Sequence, residues 1–373
     1  MKKIKCLVHI MNPVGVIAGL TAIETIHPRL NVEVSMCVEW PGSEAATFDI
    51  FEVVNRLTQQ FPYTIRCFIK AKEQNINTLY DEIYFSHDLM ENTSPVLFAK
   101  YPTAKKICYG DALGAVFKKK EYFSNFSPYR ESGNIILKLK IHIARLMDLF
   151  KPLLIKNIPY HIDQAVLILP IDQSGRYFND IPLLVCGKKK TISVVEKCIK
   201  SDKQFSRYVE KILIKHNGSK LYLLLTENMS EGGYVDKDKD ISMYCEIIEK
   251  YCKRGSVILL KPHPGETYDR YSAIVKNMND KYKIFKISNK YARYPIEIWK
   301  KLVNKCTVIS IAYPYISLKY LYDIDVIQPM DIKFVKKWVN RWAWNHFINA
   351  IDLYSETFKK LDTWDEKSIL YTP

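Results

Sequence analysis

The chain has 373 residues, 48% of them hydrophobic and 25% charged, a composition that excludes a disordered chain and predicts two domains. Lys and Arg total 55 against 40 Asp and Glu, a formal charge of +15, which favours anionic partners such as acidic substrates, lipid headgroups or nucleic acid. No window approaches the roughly 18–20 apolar residues of a membrane span, and no two of the nine cysteines form a CxxC pair, so neither a disulfide framework nor a zinc motif is expected.

The first apolar run, KCLVHI (5–10), reads as a buried strand entering a turn. His9, Asn12 and the lack of a small-residue cleavage site argue against a secretion signal, so the protein is expected in the cytosol. A helix is predicted over 14–26, a strand over 32–40, a helix over 48–61, strands over 64–70 and 81–86, a helix over 94–102 and a strand over 105–110. Strands over 165–170 and 182–187 extend this first unit, and a lysine-rich connector follows from 188 to 212. The alternation then restarts, with strands over 220–228, 256–264, 282–288 and 306–312 and helices over 241–255 and 295–305. An aromatic and basic helix, or pair of helices, closes the chain over 334–361, with core packing favoured over a membrane-surface role.

Strand and helix in alternation predict an α/β chain of two doubly wound, Rossmann-like domains, residues 1–190 and 191–373, with the terminal helices free to cross back to the first. Ligands belong in the cleft beyond the carboxyl ends of the strands. One strand end there is unusual. In SVILLKPHPGETYDR (256–270) a hydrophobic run stops on Lys261, and His263 sits between Pro262 and Pro264. Proline on both sides restricts the backbone, so the imidazole is aimed in advance, as suits a group that meets a phosphate or a leaving oxygen.

KPHPGE, preceded by LLLTEN and followed by YPIEIW, resembles bacterial sialyltransferases and polysialyltransferases of the GT-B fold. The resemblance implies two Rossmann-like domains facing a central cleft, a nucleotide-binding second domain, and an inverting, metal-independent transfer of sialic acid or a related nonulosonic acid from a CMP donor to a surface glycan. No cofactor is implied beyond that nucleotide sugar. His263 matches the histidine that contacts the donor phosphate, with Lys261 and Pro264 beside it. The acidic signature of the first domain maps onto Gly110-Asp111-Ala112, where only Asp111 keeps the carboxylate, as base for the acceptor hydroxyl.

Further donor-binding candidates are Thr226 and Asn228, flanking Glu227 at a strand end, and Glu297 in YPIEIW for the ribose hydroxyls. Ser310 and Ser317 are candidates for the phosphate, at a strand-to-helix turn that lacks the family's doubled serine. Each also fits a plainer role as turn, cap or helix-dipole residue, and His87 and Asp88 suit a helix start after Ser86 better than an acceptor site. The basic balance suits an anionic glycan or glycolipid acceptor and peripheral contact with the inner membrane face, to which the lysine runs 118–120 and 188–190 would contribute. No nucleic-acid recognition module is found. Two other readings stay open: a CMP-Kdo or CDP-glycerol-type transferase of the same architecture, and a non-catalytic scaffold that binds polyanions.

Overall fold

A computed structural model describes residues 2–39, 44–69, 79–86, 98, 100–110, 162–169, 181–264, 266, 269–311, 314–361 and 369–371. Asp111, His87, Asp88 and the lysine run 118–120 lie outside the described residues.

The first sheet is built from β1 (Ile4–Ile10), β2 (Val32–Val38), β3 (Thr64–Ile69), β4 (Glu82–Ser86), β5 (Lys105–Gly110), β6 (Gln164–Leu167) and β7 (Leu183–Val185). Its order is β13-β7-β6-β5-β4-β1-β2-β3. All neighbours are parallel except β13 (Ile369–Tyr371), which pairs antiparallel with β7. The second sheet runs β10-β9-β8-β11-β12 and is parallel throughout: β8 (Leu221–Leu225), β9 (Val257–Lys261), β10 (Lys283–Lys286), β11 (Thr307–Ser310) and β12 (Val326–Ile327). Runs such as Leu221–Leu225, buried at every position, mark central strands covered on both faces, the condition that parallel pairing demands.

Strand order reverses between β1 and β4 in the first sheet and between β8 and β11 in the second. These are the switch points at which ligands bind in doubly wound folds.

The stretch read as a connector is ordered. It forms two helices, α3 (Lys188–Ser201) and α4 (Lys203–Lys215), after α1 (Val14–Ile26) and α2 (Glu44–Leu57) of the first domain. Lysines dominate the composition of this stretch, but Val194, Val195 and Cys198 share one face and are fully buried. Lys197 donates from its ammonium to both oxygens of the buried Glu24 at 2.6 Å, and Tyr63 donates to the same carboxylate at 3.2 Å. One hydrophobic cluster therefore runs from Val8 and Ile17 through Val194 to Leu223 and Val308.

The end of the chain is a pair of helices, one of the two expected forms. It is α8 (Ile332–Trp338), a 3-10 turn at Arg341–Ala343 and α9 (Trp344–Lys360), preceded in the second domain by α5 (Lys237–Tyr251), α6 (Arg270–Met278) and α7 (Pro314–Tyr322). Asn340 breaks the run because it is tied elsewhere: its backbone N–H donates to Tyr234 O at 2.7 Å and its amide to Gly233 O at 2.9 Å. Tyr234 stacks on Trp342 at 5.4 Å between centroids, and these aromatic residues, partly buried, pack against the core of the second domain. The chain returns to the first sheet as strand β13 rather than as a helix. Among the described residues no helix is long and apolar enough to cross a membrane.

Candidate active site

β9 presents five buried residues and ends on Lys261, whose ammonium is drawn inward to donate to Ala292 O at 2.9 Å. Burial pushes its pKa down to about 8, against the opposing pull of Glu297, Glu227 and Glu266. Lys261 therefore enters the site as a buried positive charge and does not project into solvent.

The turn that follows is held from both sides. The His263 backbone N–H donates to Glu266 Oε1 at 2.9 Å and the Glu266 N–H donates back to His263 O at 3.1 Å. Thr226, just past β8, donates its hydroxyl to the same Oε1 and its backbone N–H to Lys261 O at 3.1 Å. Arg293 donates to Pro264 O at 2.7 Å, and its other terminal nitrogen lies 3.0 Å from Asp49 on α2. This ion pair bridges the two domains beside the turn.

Behind Glu266 stands Arg270, the first residue of α6 and almost fully buried. Its guanidinium lies 2.6 Å from Glu266, 2.6 Å from Asp240 and 3.1 Å from Glu231, and 5.5 Å from the ring of Tyr244. The Tyr244 hydroxyl in turn accepts from the Glu227 N–H at 2.7 Å. A chain of charge-assisted contacts thus runs from α5 and α6 to the backbone of His263, which is how a surface turn acquires a fixed geometry.

The His263 side chain keeps 31% exposure, and its Nε2 is 3.7 Å from Glu227 Oε2. Burial and the positive charges of Lys261, Arg270 and Arg293 lower its pKa to about 4. Burial and the charge of Glu266 raise Glu227 to about 8. Both shifts favour the uncharged forms: the imidazole gives up its proton more readily than usual and the Glu227 carboxyl holds its proton more tightly.

The other donor candidates divide. Glu297, in the 3-10 turn Ile296–Trp299, and Ser317, on α7, come together: the serine hydroxyl donates to Glu297 Oε1 at 2.8 Å and both are buried. Burial raises the Glu297 pKa, with Ser317 and Lys261 opposing. A ribose reaching this carboxylate would have to displace Ser317. Ser310 ends β11 fully buried at the switch point. Asn228 lies in the turn after β8, where its carbonyl accepts from the Gly232 N–H at 2.9 Å. Thr226, Lys261, His263 and Pro264 thus form one group and Glu297 with Ser317 another, with Lys261 electrostatically linked to both Glu227 and Glu297.

At the carboxyl edge of the first sheet, a pair that the sequence reading did not single out stands beside the end of β5. His9 Nε2 lies 3.1 Å from Glu39 Oε2, with the imidazole buried and the carboxylate 26% exposed. The Tyr109 hydroxyl donates to His9 O at 2.6 Å. A Cβ on Gly15 would come within 2.9 Å of that hydroxyl, so the tyrosine crosses α1 only because residue 15 is glycine. His9 looks like an ordinary strand residue in sequence; only the pairing of β1 with β2 carries it to Glu39.

Residues 177–312 match the family model described as alpha-2,8-polysialyltransferase (POLYST). No curated protein sequence matches the chain. Among solved structures the chain is similar to a UDP-GlcNAc 2-epimerase from Neisseria meningitidis bound to UDP-GlcNAc (12% identity, TM-score 0.47, 96% of this chain and 94% of that one). It is also similar to the GT-B domain of a sialyltransferase from Photobacterium damselae (12% identity, TM-score 0.44, 96% and 99%). A third likeness is to the 2,6-sialyltransferase of Photobacterium sp. JT-ISH-224, in a complex with CMP and lactose (10% identity, TM-score 0.46, 96% and 77%). The family match covers the turn at His263, β8, β9 and β11, the segment on which the resemblance in sequence was seen. The chain folds as two doubly wound α/β sheets and is similar over residues 177–312 to the alpha-2,8-polysialyltransferases.

Proposed function

We propose that this chain is a glycosyltransferase that moves sialic acid, or a related nonulosonic acid, from a CMP-activated donor to a glycan acceptor, with inversion and without a catalytic metal. The observation that carries the reading is the braced turn at His263, at the switch-point edge of the second sheet and within the segment that matches the polysialyltransferases. As the donor's anomeric C–O bond breaks, charge develops on the phosphate. Lys261 and Arg293 are the cations beside the turn that would meet this charge, the service that a divalent ion performs in other transferases. Phosphate next to His263 favours the imidazolium, so the imidazole takes up a proton, with Glu227 as a near source, and meets the departing oxygen as a charged donor.

The acceptor hydroxyl must lose its proton to a carboxylate on the first domain. Asp111 holds that role in the sequence reading. Glu39, backed by His9 at the same sheet edge, is the described carboxylate that competes for it. Thr226, Asn228, Glu297, Ser310 and Ser317 are assigned to donor binding. The surplus of basic residues suits an acidic glycan or glycolipid acceptor at the inner membrane face.

Isothermal titration with CMP, CDP and UDP tests the donor class. CMP is expected to bind tightest, and transfer from CMP-sialic acid is expected to survive chelator. Tighter binding of CDP would favour the CDP-glycerol-type reading, preference for UDP would overturn the proposal, and binding of none would favour a polyanion scaffold. Turnover of CMP-Kdo in place of CMP-sialic acid would move the enzyme to the Kdo reading.

A further inference from the structure

The described residues include a cluster of metal-ligating side chains remote from the switch-point edges: Cys6, His27 and Glu82. Cys6 and Glu82 are register partners on the paired strands β1 and β4, so their side chains leave the same face of the sheet. His27 is the residue that ends α1, the helix packed over that face. The three meet at Glu82 Oε2, with His27 Nε2 at 2.7 Å and Cys6 Sγ at 3.8 Å. The Tyr84 hydroxyl donates to the same oxygen at 2.6 Å. All three candidate ligand atoms lie within 4.8 Å of one another. Cys6 is fully buried, whereas the His27 and Glu82 side chains keep 14% and 10% exposure, a narrow route in from solvent.

We propose that Cys6, His27 and Glu82 bind a divalent transition-metal ion of the zinc type, with a solvent-facing fourth position. Thiolate, imidazole and carboxylate together form a donor set that zinc accepts and that magnesium or calcium does not. Zinc bonds of roughly 2.0–2.3 Å hold neighbouring ligand atoms about 3–4 Å apart, so closing this cluster round an ion asks for side-chain shifts on the order of 1 Å. On binding, Cys6 releases its thiol proton to solvent, and His27 keeps its proton on Nδ1 and offers the Nε2 lone pair. The Tyr84 hydroxyl stays on the carboxylate as outer support. The site lies toward the amino ends of β1 and β4, opposite the edge that carries Glu39, and its work is to pin the end of α1 to the sheet. It is independent of the transferase reading.

Full-length protein, stripped with chelator and titrated with Co2+ alone, is expected to bind one equivalent and to develop a thiolate-to-metal absorption in the near ultraviolet that Zn2+ abolishes. Cys6→Ser should remove that absorption and His27→Gln should weaken Co2+ binding at least tenfold, while Cys306→Ser changes neither. Zn2+ should also protect wild-type Cys6 from alkylation, read by mass spectrometry, which keeps the test open if Cys6→Ser does not fold. The proposal is overturned if wild type takes up no equivalent of Co2+, if the absorption persists in Cys6→Ser, or if Cys6 is alkylated equally fast with and without Zn2+. Transfer from CMP-sialic acid is measured separately, so failure here leaves the transferase reading where it stands.

Discussion

The two sheet edges that could face a nucleotide sugar are built on different principles. On the second domain, one turn is braced by a buried guanidinium, three carboxylates and a threonine, contributed by α5, α6 and the loops after β8 and β9. On the first, the described residues place a His9–Glu39 pair and a tyrosine hydroxyl at the equivalent edge. Buried charges hold one another only as a set, because removing one leaves the others desolvated and uncompensated. The braced edge is therefore the brittle one.

Breaking the brace should have the largest effect. Arg270→Met leaves Glu266, Asp240 and Glu231 without their shared cation, and urea denaturation should record a loss of about 3–5 kcal/mol. A loss below 1 kcal/mol would show that these carboxylates are neutral in the folded protein and that the guanidinium is not what holds them. His263→Ala separates position from chemistry, since the side chain is partly exposed and the turn is held through its backbone. Transfer should fall by roughly 10²–10⁴-fold with the unfolding midpoint in place. Retention of activity within threefold would remove the imidazole from the reaction.

The first edge is sharpened by a paired comparison. If Asp111 is the base, Asp111→Ala should lower kcat by roughly 10²-fold or more while Glu39→Gln costs under tenfold, and the reverse ranking assigns the proton to Glu39. Acid and alkali should also separate the residues of the second edge. His263 is depressed to about 4 in the fold, so the unfolded chain binds more protons as pH falls from 6.5 towards 4 and stability drains away through that window. Glu227 is raised to about 8, so its contribution is complete below about 4.5 and is lost as pH rises towards 8. Denaturation midpoints across pH should therefore show Glu227→Gln gaining on wild type between pH 5 and 8, and His263→Gln gaining on wild type between pH 6 and 4. A flat difference in either series refutes the corresponding assignment. The smallest effect belongs to Asp49→Ala: its carboxylate is 58% exposed, so losing the bridge to Arg293 should shift stability by under about 1 kcal/mol in a thermal melt.

Much of this was legible in the chain itself. Alternating periodicity located the parallel strands from Ile4 to Ser310 with end errors of a few residues, because buried parallel strands are uninterrupted runs of branched residues. The Pro-His-Pro pinch announced itself by backbone chemistry alone. The 188–212 stretch did not, since its lysines dominate a composition count while three residues on one face decide its packing. Thr226 and Ser317 each give their hydroxyl to a buried glutamate, a pairing no local pattern encodes.

Sequence alone determined the alternation of strands and helices, the aimed histidine and the surplus of positive charge, since each follows from neighbours along the chain. Tertiary structure alone decided which carboxyl groups hold their protons more tightly, which cations surround His263, and that Cys6, His27 and Glu82 share one point in space. Desolvation and Coulomb energy depend on distances between residues that the chain keeps far apart and only the fold brings together.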